Sequence, residues 1–512
     1  MVIIIKPKAA LISVFDKTGI ADFAKGLARH GIEILATGGT ASLLEKNGIK
    51  ITKVESYTGS PEILDGRVKT LHPSIFGGIL AIRGKKEHAE QLSEHKLKEI
   101  DMIVVNLYPF EATIAKNPGM EDALENIDIG GVSLIRAAGK NFQDVAVIVD
   151  PKDYSSLLDE VEKGGIAEET LKKLAVKAFR TTAAYDSAID NYLSERLAGE
   201  KVIRPFFMHG QEMRYGENPH QKGWFYKSEK LEEACVANAK MLSGKELSYN
   251  NILDANEAFE LVKEFDEPCC AIIKHTNPSG VAVDNEISEA YRKALACDPL
   301  SAFGCVVAMN RKCDIRTAEL MKPNFIEVVI CPGFEPGALE LLKTKKNLRL
   351  LETGKIGERA PQMEMRTVTG GLLVQSRDFP KLDNRTFKAV TRKTPSPGEL
   401  EDMIFAIRVA LHVKSNSVVF VKDKVTVGIG AGQMSRVDSV KIAVEKSQGL
   451  VKGSVMCSDA FFPFRDGVDE AAKAGVSAIV QPGGSIRDDE VVKAADEHGI
   501  SMVFSGIRLF KH

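Results

Sequence analysis

The sequence contains no pair of cysteines at CxxC spacing and only eight cysteines in 512 residues, at positions 235, 269, 270, 297, 305, 313, 331 and 457. That spacing suggests neither a zinc site nor a disulfide framework, and it fits a reducing, cytoplasmic location. A charge excess of one sign is also missing: Lys and Arg total 68 against 70 Asp and Glu, a formal net charge of -2. Sequence-independent nucleic-acid binding rests on a basic surface, so nucleic acid is not an expected partner. An anionic small molecule stays compatible, because it needs only a local patch. No apolar run approaches the length of a membrane span, and no membrane partner is expected. Met1-Val2-Ile3-Ile4-Ile5-Lys6-Pro7 is too short an apolar run for a signal peptide and lacks the small-residue cleavage site. What is present is globular. Hydrophobic residues make up 44% of the chain, and its length exceeds what one core accommodates, so two to four domains are expected.

The first 150 residues alternate between strand and helix patterns. Residues 10–15 form an apolar strand, after which Ile20, Phe23, Ala24, Leu27 and Ala28 recur at helical spacing until Gly31. Residues 32–36 predict a second strand, running into Thr37-Gly38-Gly39-Thr40 and a helix through Leu43 and Leu44. Apolar runs at 102–105 and 145–149 complete a parallel sheet with covering helices, an α/β domain. A helical region over 168–197 closes it, with a boundary near Gly199 to Pro205. The remainder carries a pattern of internal duplication. Helix 254–265, Lys274-His275, turn 297–304 and strand 328–331 with Pro332-Gly333 are followed, in the same order, by helix 399–413, Lys414-Ser415-Asn416-Ser417, turn 457–462 and strand 478–480 with Pro482-Gly483. The basic, proline-punctuated stretch 388–397 predicts a linker between the halves.

The most informative stretch is Lys274-His275-Thr276-Asn277-Pro278-Ser279-Gly280. The apolar run 269–273 delivers a cation and an imidazole, the side chain that titrates near neutrality, into a turn, where α/β enzymes place chemistry. Pro278 and Gly280 are expected to end the strand; the plainer alternative is a capped strand with a satisfied histidine. Thr37-Gly38-Gly39-Thr40 joins a strand to a helix start, where free N–H groups and glycine let an anion approach, or it is simply a tight turn. Asp16-Lys17-Thr18-Gly19 is another strand end with a cation. In the segment 66–73, Arg67 and Lys69 are expected on one side of an extended stretch, either gripping an anionic ligand or forming a solvated face. Tyr108 could donate to a developing oxyanion, Lys140 or Lys69 could supply positive charge, and Asp128 could accept a proton, orient a lysine or cap a helix. The segment 213–221 packs Arg214, Tyr215, Asn218 and His220 with almost no apolar filler, which is costly unless it binds something polar. Ser301-Ala302-Phe303-Gly304 and the glycine-rich 427–433 look like close-approach loops; the latter follows a hairpin turned at Asp423, which argues against a dinucleotide site.

Together and in order, SVFDKTG, ATGGT, GRVKTLHP, NLYPF, IDIGGVSLIRAAGKN, MRYGENPHQ, KHTNPSG, SAFG, KSNSV, GIGAGQ and SDAFFPFRD resemble the bifunctional purine-biosynthesis enzymes that combine AICAR transformylase (phosphoribosylaminoimidazolecarboxamide formyltransferase) with IMP cyclohydrolase. The resemblance runs essentially end to end. It implies a methylglyoxal-synthase-like cyclohydrolase domain at 1–199 and a transformylase of two cytidine-deaminase-like α/β subdomains, at 200–385 and 386–512. The deaminase zinc signature, HxE with PCxxC, is absent, so no zinc is expected. Carried over by motif, the cyclohydrolase site falls on Ser13, Lys17, Thr37, Gly38, Gly39, Thr40, Arg67, Lys69, Thr70, Tyr108, Asp128 and Lys140. Many relatives have serine where this chain has Phe15, so a hydroxyl contact is lost there. The transformylase site falls on Arg214 and Tyr215 for substrate, Lys274 and His275 for catalysis, Phe303 and Gly304 beside the pocket, Asn416 for substrate or oxyanion contact, and Glu327 for a folate contact. Asp459 and His512 resemble residues near a monovalent-cation site in some relatives, which implies K+ as a ligand.

The resemblance implies formyl transfer from 10-formyltetrahydrofolate to AICAR, giving FAICAR, and then dehydrative closure of FAICAR to IMP, in a homodimer whose transformylase sites draw on both chains. The residues suit that chemistry: a poorly nucleophilic amine needs a base such as His275 and a cation such as Lys274, while an intramolecular closure gains mainly from orientation. Two rival readings are a phosphate-sensing N-terminal module beside a single catalytic half, and a non-catalytic nucleotide-binding protein. The set Lys69, Tyr108, Asp128 and Lys140 speaks against the first, and Lys274-His275 with Asn416 against the second.

Overall fold

The computed structural model describes residues 4–205, 207–228, 231, 233–380 and 382–512, without the side chains of residues 65, 209 and 384. The start of the N-terminal segment considered above, Met1 to Ile3, lies outside them. The chain divides into two compact units, Met1–Phe206 and Phe207–His512.

In the first unit, apolar, β-branched runs form a five-stranded sheet in the order Thr52–Lys53, Glu33–Ala36, Ala9–Val14, Met102–Asn106 and Ala146–Ile148. Every pairing is parallel. Ala10, Leu11 and Ile12 are fully buried because helices cover both faces. Ile20–Arg29 packs on the sheet through Ile20, Phe23, Ala24 and Leu27 of the helical stripe read from the sequence, while Ala28, read as part of that stripe, is exposed because it has turned to the solvent side of the helix. Strand order reverses between Ala9–Val14 and Met102–Asn106, and such a switch point opens a crevice at the carboxyl ends of the strands. Asn106 ties the two sides of that crevice together. Its Oδ1 accepts from the backbone N–H groups of Phe15 (2.5 Å) and Asp16 (2.9 Å), and its Nδ2 donates to the Asp16 carbonyl (3.0 Å).

The second unit is built on one 12-stranded sheet. Its strand order is Lys240–Ser243, Arg349–Glu352, Ile326–Cys331, Cys305–Met309, Cys269–Lys274, Asn277–Val283, Val425–Gly430, Val418–Lys422, Val455–Ser458, Ala478–Gln481, Ser501–Phe504, Lys388–Ala389. The duplication is geometric. Hairpin 269–283 and hairpin 418–430 carry the same register shift, at Ile272/Ile273 and Phe420/Val421. Each turns through two non-glycine residues with positive φ: His275 (52°) and Thr276 (63°), and Asp423 (54°) and Lys424 (56°). An aspartate on the preceding helix clamps each turn. Asp254 accepts from Thr276 N (2.7 Å), and Asp402 accepts from Asp423 N (2.9 Å) and Lys424 N (2.7 Å).

Two expectations are corrected here. Pro278 and Gly280 do not end the strand: Asn277–Val283 is itself a strand, and Pro278 fits because it sits at the register shift opposite Ile273, where a ladder N–H is not needed. Gly280 serves packing, since a Cβ there would lie 1.9 Å from the carbonyl oxygen of Ala294; Gly428 does the same at the matching place, 2.3 Å from the Ala443 carbonyl oxygen. The predicted linker 388–397 contributes an edge strand, Lys388–Ala389, paired with Ser501–Phe504. The counterpart of Lys274-His275 in the repeat is therefore Lys422-Asp423, and Lys414 to Ser417 precede the strand instead of ending it. Gly428→Ala should lower stability by about 2 kcal/mol or more, because the helix carbonyl cannot retreat without breaking its packing; a urea midpoint equal to wild type would show that the helix yields freely.

All eight cysteines are free and seven are buried. Among the described residues, no helix is long and apolar enough to cross a membrane, and no group of three or more His, Cys, Asp or Glu is placed to hold a metal ion.

Candidate active sites

At the crevice of the first unit, the ends of the strands Ala9–Val14, Glu33–Ala36 and Met102–Asn106 and a helix start converge. Gly38–Lys46 begins directly after the strand Glu33–Ala36, with Thr37 as its N-cap in extended conformation, so the N–H groups of its first turn face the crevice. Thr37 and Thr40 are buried. The Ser13 hydroxyl lies 3.0 Å from that of Thr37, and Lys17 donates to the Val14 carbonyl and to Thr40 Oγ1 (2.8 Å). Burial, followed by the Lys69 charge, lowers the pKa of Lys17. Lys69 Nζ stands over Gly38, where an added Cβ would meet it at 3.3 Å. Two ammonium groups thus face a helix N-terminus, an arrangement that favours a phosphate.

Arg67 and Lys69 are not on an extended segment, which corrects the expectation. Leu64–Gly66 is a short 3-10 turn and the chain keeps turning to Thr70, so the two cations point to different partners: Arg67 pairs with Glu125 and Lys69 lies 3.9 Å from Glu62. Thr70 is buried against the start of helix Gly130–Lys140, where a Cβ on Gly130 would meet its Oγ1 at 2.7 Å.

Asp128 precedes that helix and does two things at once. Its Oδ1 accepts from the Gly131 N–H (2.6 Å), the capping role, and its carboxyl faces the site. Burial raises its pKa, opposed by hydrogen bonds from the Gly131 and Tyr108 backbone and by the Lys69 charge. Tyr108 is raised as well, by burial and then by the charges of Asp128 and Glu125, so its phenol stays protonated through neutral pH. Phe15 meets the Tyr108 ring edge-on at 5.5 Å. Lys140 is not brought to this group: it is exposed in the last turn of the helix, roughly 15 Å along the axis from Gly130 at 1.5 Å per residue.

In the second unit, Lys274 ends its strand with its ammonium donating to the carbonyls of Phe303 (3.0 Å) and Gly304 (2.9 Å). Gly304 has φ 67°, and a Cβ there would press on Lys274 Nζ and the Phe325 ring. His275 is exposed at the tip of the clamped turn. Non-glycine residues held at positive φ mark places where the surroundings impose a conformation. The repeat supplies an internal comparison: Lys422 donates to the Lys452 carbonyl (3.2 Å) as Lys274 does to Phe303 and Gly304, but Asp423 stands where His275 does. The imidazole is what distinguishes the first turn.

Asn277 Oδ1 accepts from Lys414 N (3.0 Å), which joins this turn to the segment carrying Asn416. The Asn416 amide is committed within the chain. It accepts from Arg436 Nη2 (2.8 Å) and donates to the carbonyls of Gln433 (2.9 Å) and Met434 (3.2 Å), closing the glycine-rich loop over the strand ends. Asp459, fully buried, accepts from Ser415 Oγ, Ser417 N (2.9 Å) and Arg436, so an arginine balances its charge inside the fold. His512 is exposed and its carbonyl accepts from Arg366. Glu327 pairs with Arg349 at 2.7 Å. Arg214 and Tyr215 sit on a separate hairpin, the guanidinium 5.1 Å from the ring centroid, and Asn250 Nδ2 docks their turn through the Glu217 carbonyl (3.2 Å). Phe303 is 70% exposed, with its ring 5.0 Å from that of Phe325.

Three residues escaped the sequence reading. Asp254 and Arg436 lie in helical stretches where a charged residue reads as solvated surface. Tyr185 lies in the long helix Glu168–Leu193, where a tyrosine reads as packing.

The two arrangements define an α/β protein with two separate clusters of polar groups, one of cations at a helix N-terminus in a parallel-sheet crevice and one at a lysine-histidine turn on a duplicated sheet. The chain belongs to the AICARFT/IMPCHase bienzyme family, whose model matches residues 138–446, and residues 19–133 match the MGS-like domain. A bifunctional purine biosynthesis protein PurH from Bradyrhizobium diazoefficiens is 51% identical over 528 residues, covering 98% of each chain. Proteins of that name from Bacillus cereus (strain AH820) and Bacillus thuringiensis subsp. konkukian are 52% and 51% identical over 509 residues, covering 99% of this chain and 100% of theirs.

Proposed function

We propose that the two activities of this bifunctional purine-biosynthesis enzyme reside in separate regions: AICAR formyltransferase in the C-terminal region, over 200–385 and 386–512, and IMP cyclohydrolase in 1–199. The observation that carries the first assignment is the clamped Lys274-His275 turn, whose repeat counterpart lacks the histidine. The 5-amino nitrogen of AICAR attacks the formyl carbon of 10-formyltetrahydrofolate, and His275 takes the amine proton. Lys274, held by two carbonyls, stabilises the developing oxyanion, and the folate nitrogen leaves with a proton. Asn416 and Arg436 hold the Gln433 loop beside this turn. Arg214 and Tyr215 bind AICAR, and Glu327 lies on the folate side.

For ring closure, Lys17, Lys69 and the Thr37 to Thr40 helix start hold the phosphate of FAICAR. The carboxamide nitrogen attacks the formyl carbon, Asp128 accepts one of its protons and Tyr108 donates to the formyl oxygen, giving a ring carbinol; the carbinol hydroxyl then leaves as water with the hydrogen of the adjacent formamido nitrogen, closing the C=N bond. Since burial raises the Asp128 pKa, the base protonates at higher pH than a free carboxylate, which titrates near about 3.9. Ring closure should therefore decline on acidification before pH reaches that ordinary range, and Asp128→Asn should remove that limb; an unchanged limb in the variant would assign it elsewhere.

The protein works as a cytoplasmic homodimer. In support, every residue of the hairpin Met363–Val368 and Gly371–Ser376 is exposed, including Met363, Val368 and Leu373, and a lone apolar hairpin is stable only when covered. With AICAR and 10-formyltetrahydrofolate, the purified protein should give FAICAR transiently and then IMP. Formation of neither product by folded protein would reject the function, and an active monomer in sedimentation would reject the dimer.

A further inference from the structure

We propose that Tyr185 is a positioning residue for ring closure, bracing the two segments that carry Asp128 and Tyr108. The inference rests on the assignment of ring closure to that crevice. Tyr185 projects from the long helix Glu168–Leu193, and its hydroxyl serves both sides of the turn leading to Asp128. It accepts from the Asp128 N–H at 2.8 Å and donates to the Asn126 carbonyl at 3.2 Å. The same side chain reaches the other segment through its ring, which meets Phe110 edge-on at 6.2 Å. Phe110 is 1% exposed, stands two residues after Tyr108, and donates its N–H to the Tyr108 carbonyl at 2.8 Å. Tyr192, two turns further along the same helix, also meets Phe110 edge-on, at 5.8 Å.

The consequence is geometric. The Asp128 carboxyl is aimed by its own backbone and by bonds from Gly131 and Tyr108, so its direction depends on how the 126–128 turn and the 108–110 segment are held relative to one another. One phenol fixes the first and one ring contact fixes the second. Without the hydroxyl, an N–H and a carbonyl beside the site lose their partner, and the turn relaxes toward solvent. Tyr185 stays protonated, its pKa pushed up to about 12 chiefly by burial, so it acts as a fixed hydrogen-bonding post and not as a proton carrier.

The test uses the full chain with Tyr185→Phe, which keeps the ring contact and removes only the hydroxyl. FAICAR closure should slow about tenfold in kcat, the effect of one lost hydrogen bond near a reacting group, with KM within about twofold and formyl transfer unchanged. Because Tyr185 acts through Asp128, the double variant Tyr185→Phe with Asp128→Asn should be no slower than Asp128→Asn alone. Full additivity of the two losses overturns the proposal, as does a Tyr185→Phe protein with wild-type kcat for closure. A rise in KM without loss of kcat, or equal loss of both activities with a lowered melting temperature, also overturns it by assigning Tyr185 to binding or to stability. If Asp128→Asn alone leaves closure intact, the underlying site assignment fails together with the proposal.

Discussion

Replacing His275 with alanine is expected to slow formyl transfer to AICAR by about 10²–10⁴-fold, the range for a missing general base, and to leave closure of FAICAR unchanged. The selectivity follows from placement. His275 is exposed at the tip of a turn whose backbone is fixed by Asp254 and by the Asn277 to Lys414 bond, so deleting the imidazole removes no packing. Fold and stability should be preserved. The matching turn in the repeat supports this, because it holds the same backbone conformation around Asp423 with no imidazole at all. Assays of both half-reactions on one preparation check the prediction; equal loss of both would mean either a shared site or a misfolded variant, and a normal thermal melt would leave only the shared site.

Lys69→Ala should do the reverse, abolishing ring closure by about 10²-fold or more while formyl transfer continues. Its ammonium stands 3.3 Å from where a Gly38 Cβ would be, contributes to lowering the pKa of Lys17, and opposes the burial of the Asp128 carboxylate. Removing it leaves Asp128 buried with less compensation, so the carboxyl should protonate at still higher pH. The variant's residual closure activity should consequently have its acid limb shifted upward. A variant that closes FAICAR at the wild-type rate would remove Lys69 from the chemistry and leave it a solvated cation, its neighbour Glu62 being only a loose partner.

Much of this architecture is legible in one sequence because strands buried on both faces, parallel in the first unit and antiparallel at 269–274, are written as continuous apolar runs. Residues 10–15, 102–105 and 269–273 identify themselves that way, and the polar residues that follow them, Lys17, Tyr108, Lys274 and His275, are marked by the contrast. Local chemistry that depends on partners distant in sequence is not so marked. Pro278 reads as a strand breaker, yet a register shift makes room for it. Arg67 and Lys69 read as a paired grip, yet a 3-10 turn sends them to Glu125 and toward Glu62. Lys140 shares a motif with Asp128, but one helix length separates them. The duplicated turn shows why: alternating Lys-His-Thr and Lys-Asp-Lys on one scaffold give no common sequence signature, although Asp254 and Asp402 clamp both in the same way.

The claim that two independent sites act in sequence is tested most directly by mixing full-length His275→Ala with full-length Lys69→Ala in the presence of AICAR and 10-formyltetrahydrofolate. Each variant alone should make IMP far more slowly than wild type: the first forms FAICAR only at its residual rate, and the second forms FAICAR that accumulates. The mixture should produce IMP, because FAICAR released by the Lys69 variant is closed by the His275 variant. FAICAR accumulation with no IMP from the mixture, together with failure of the folded His275 variant to close added FAICAR, would contradict separate sites.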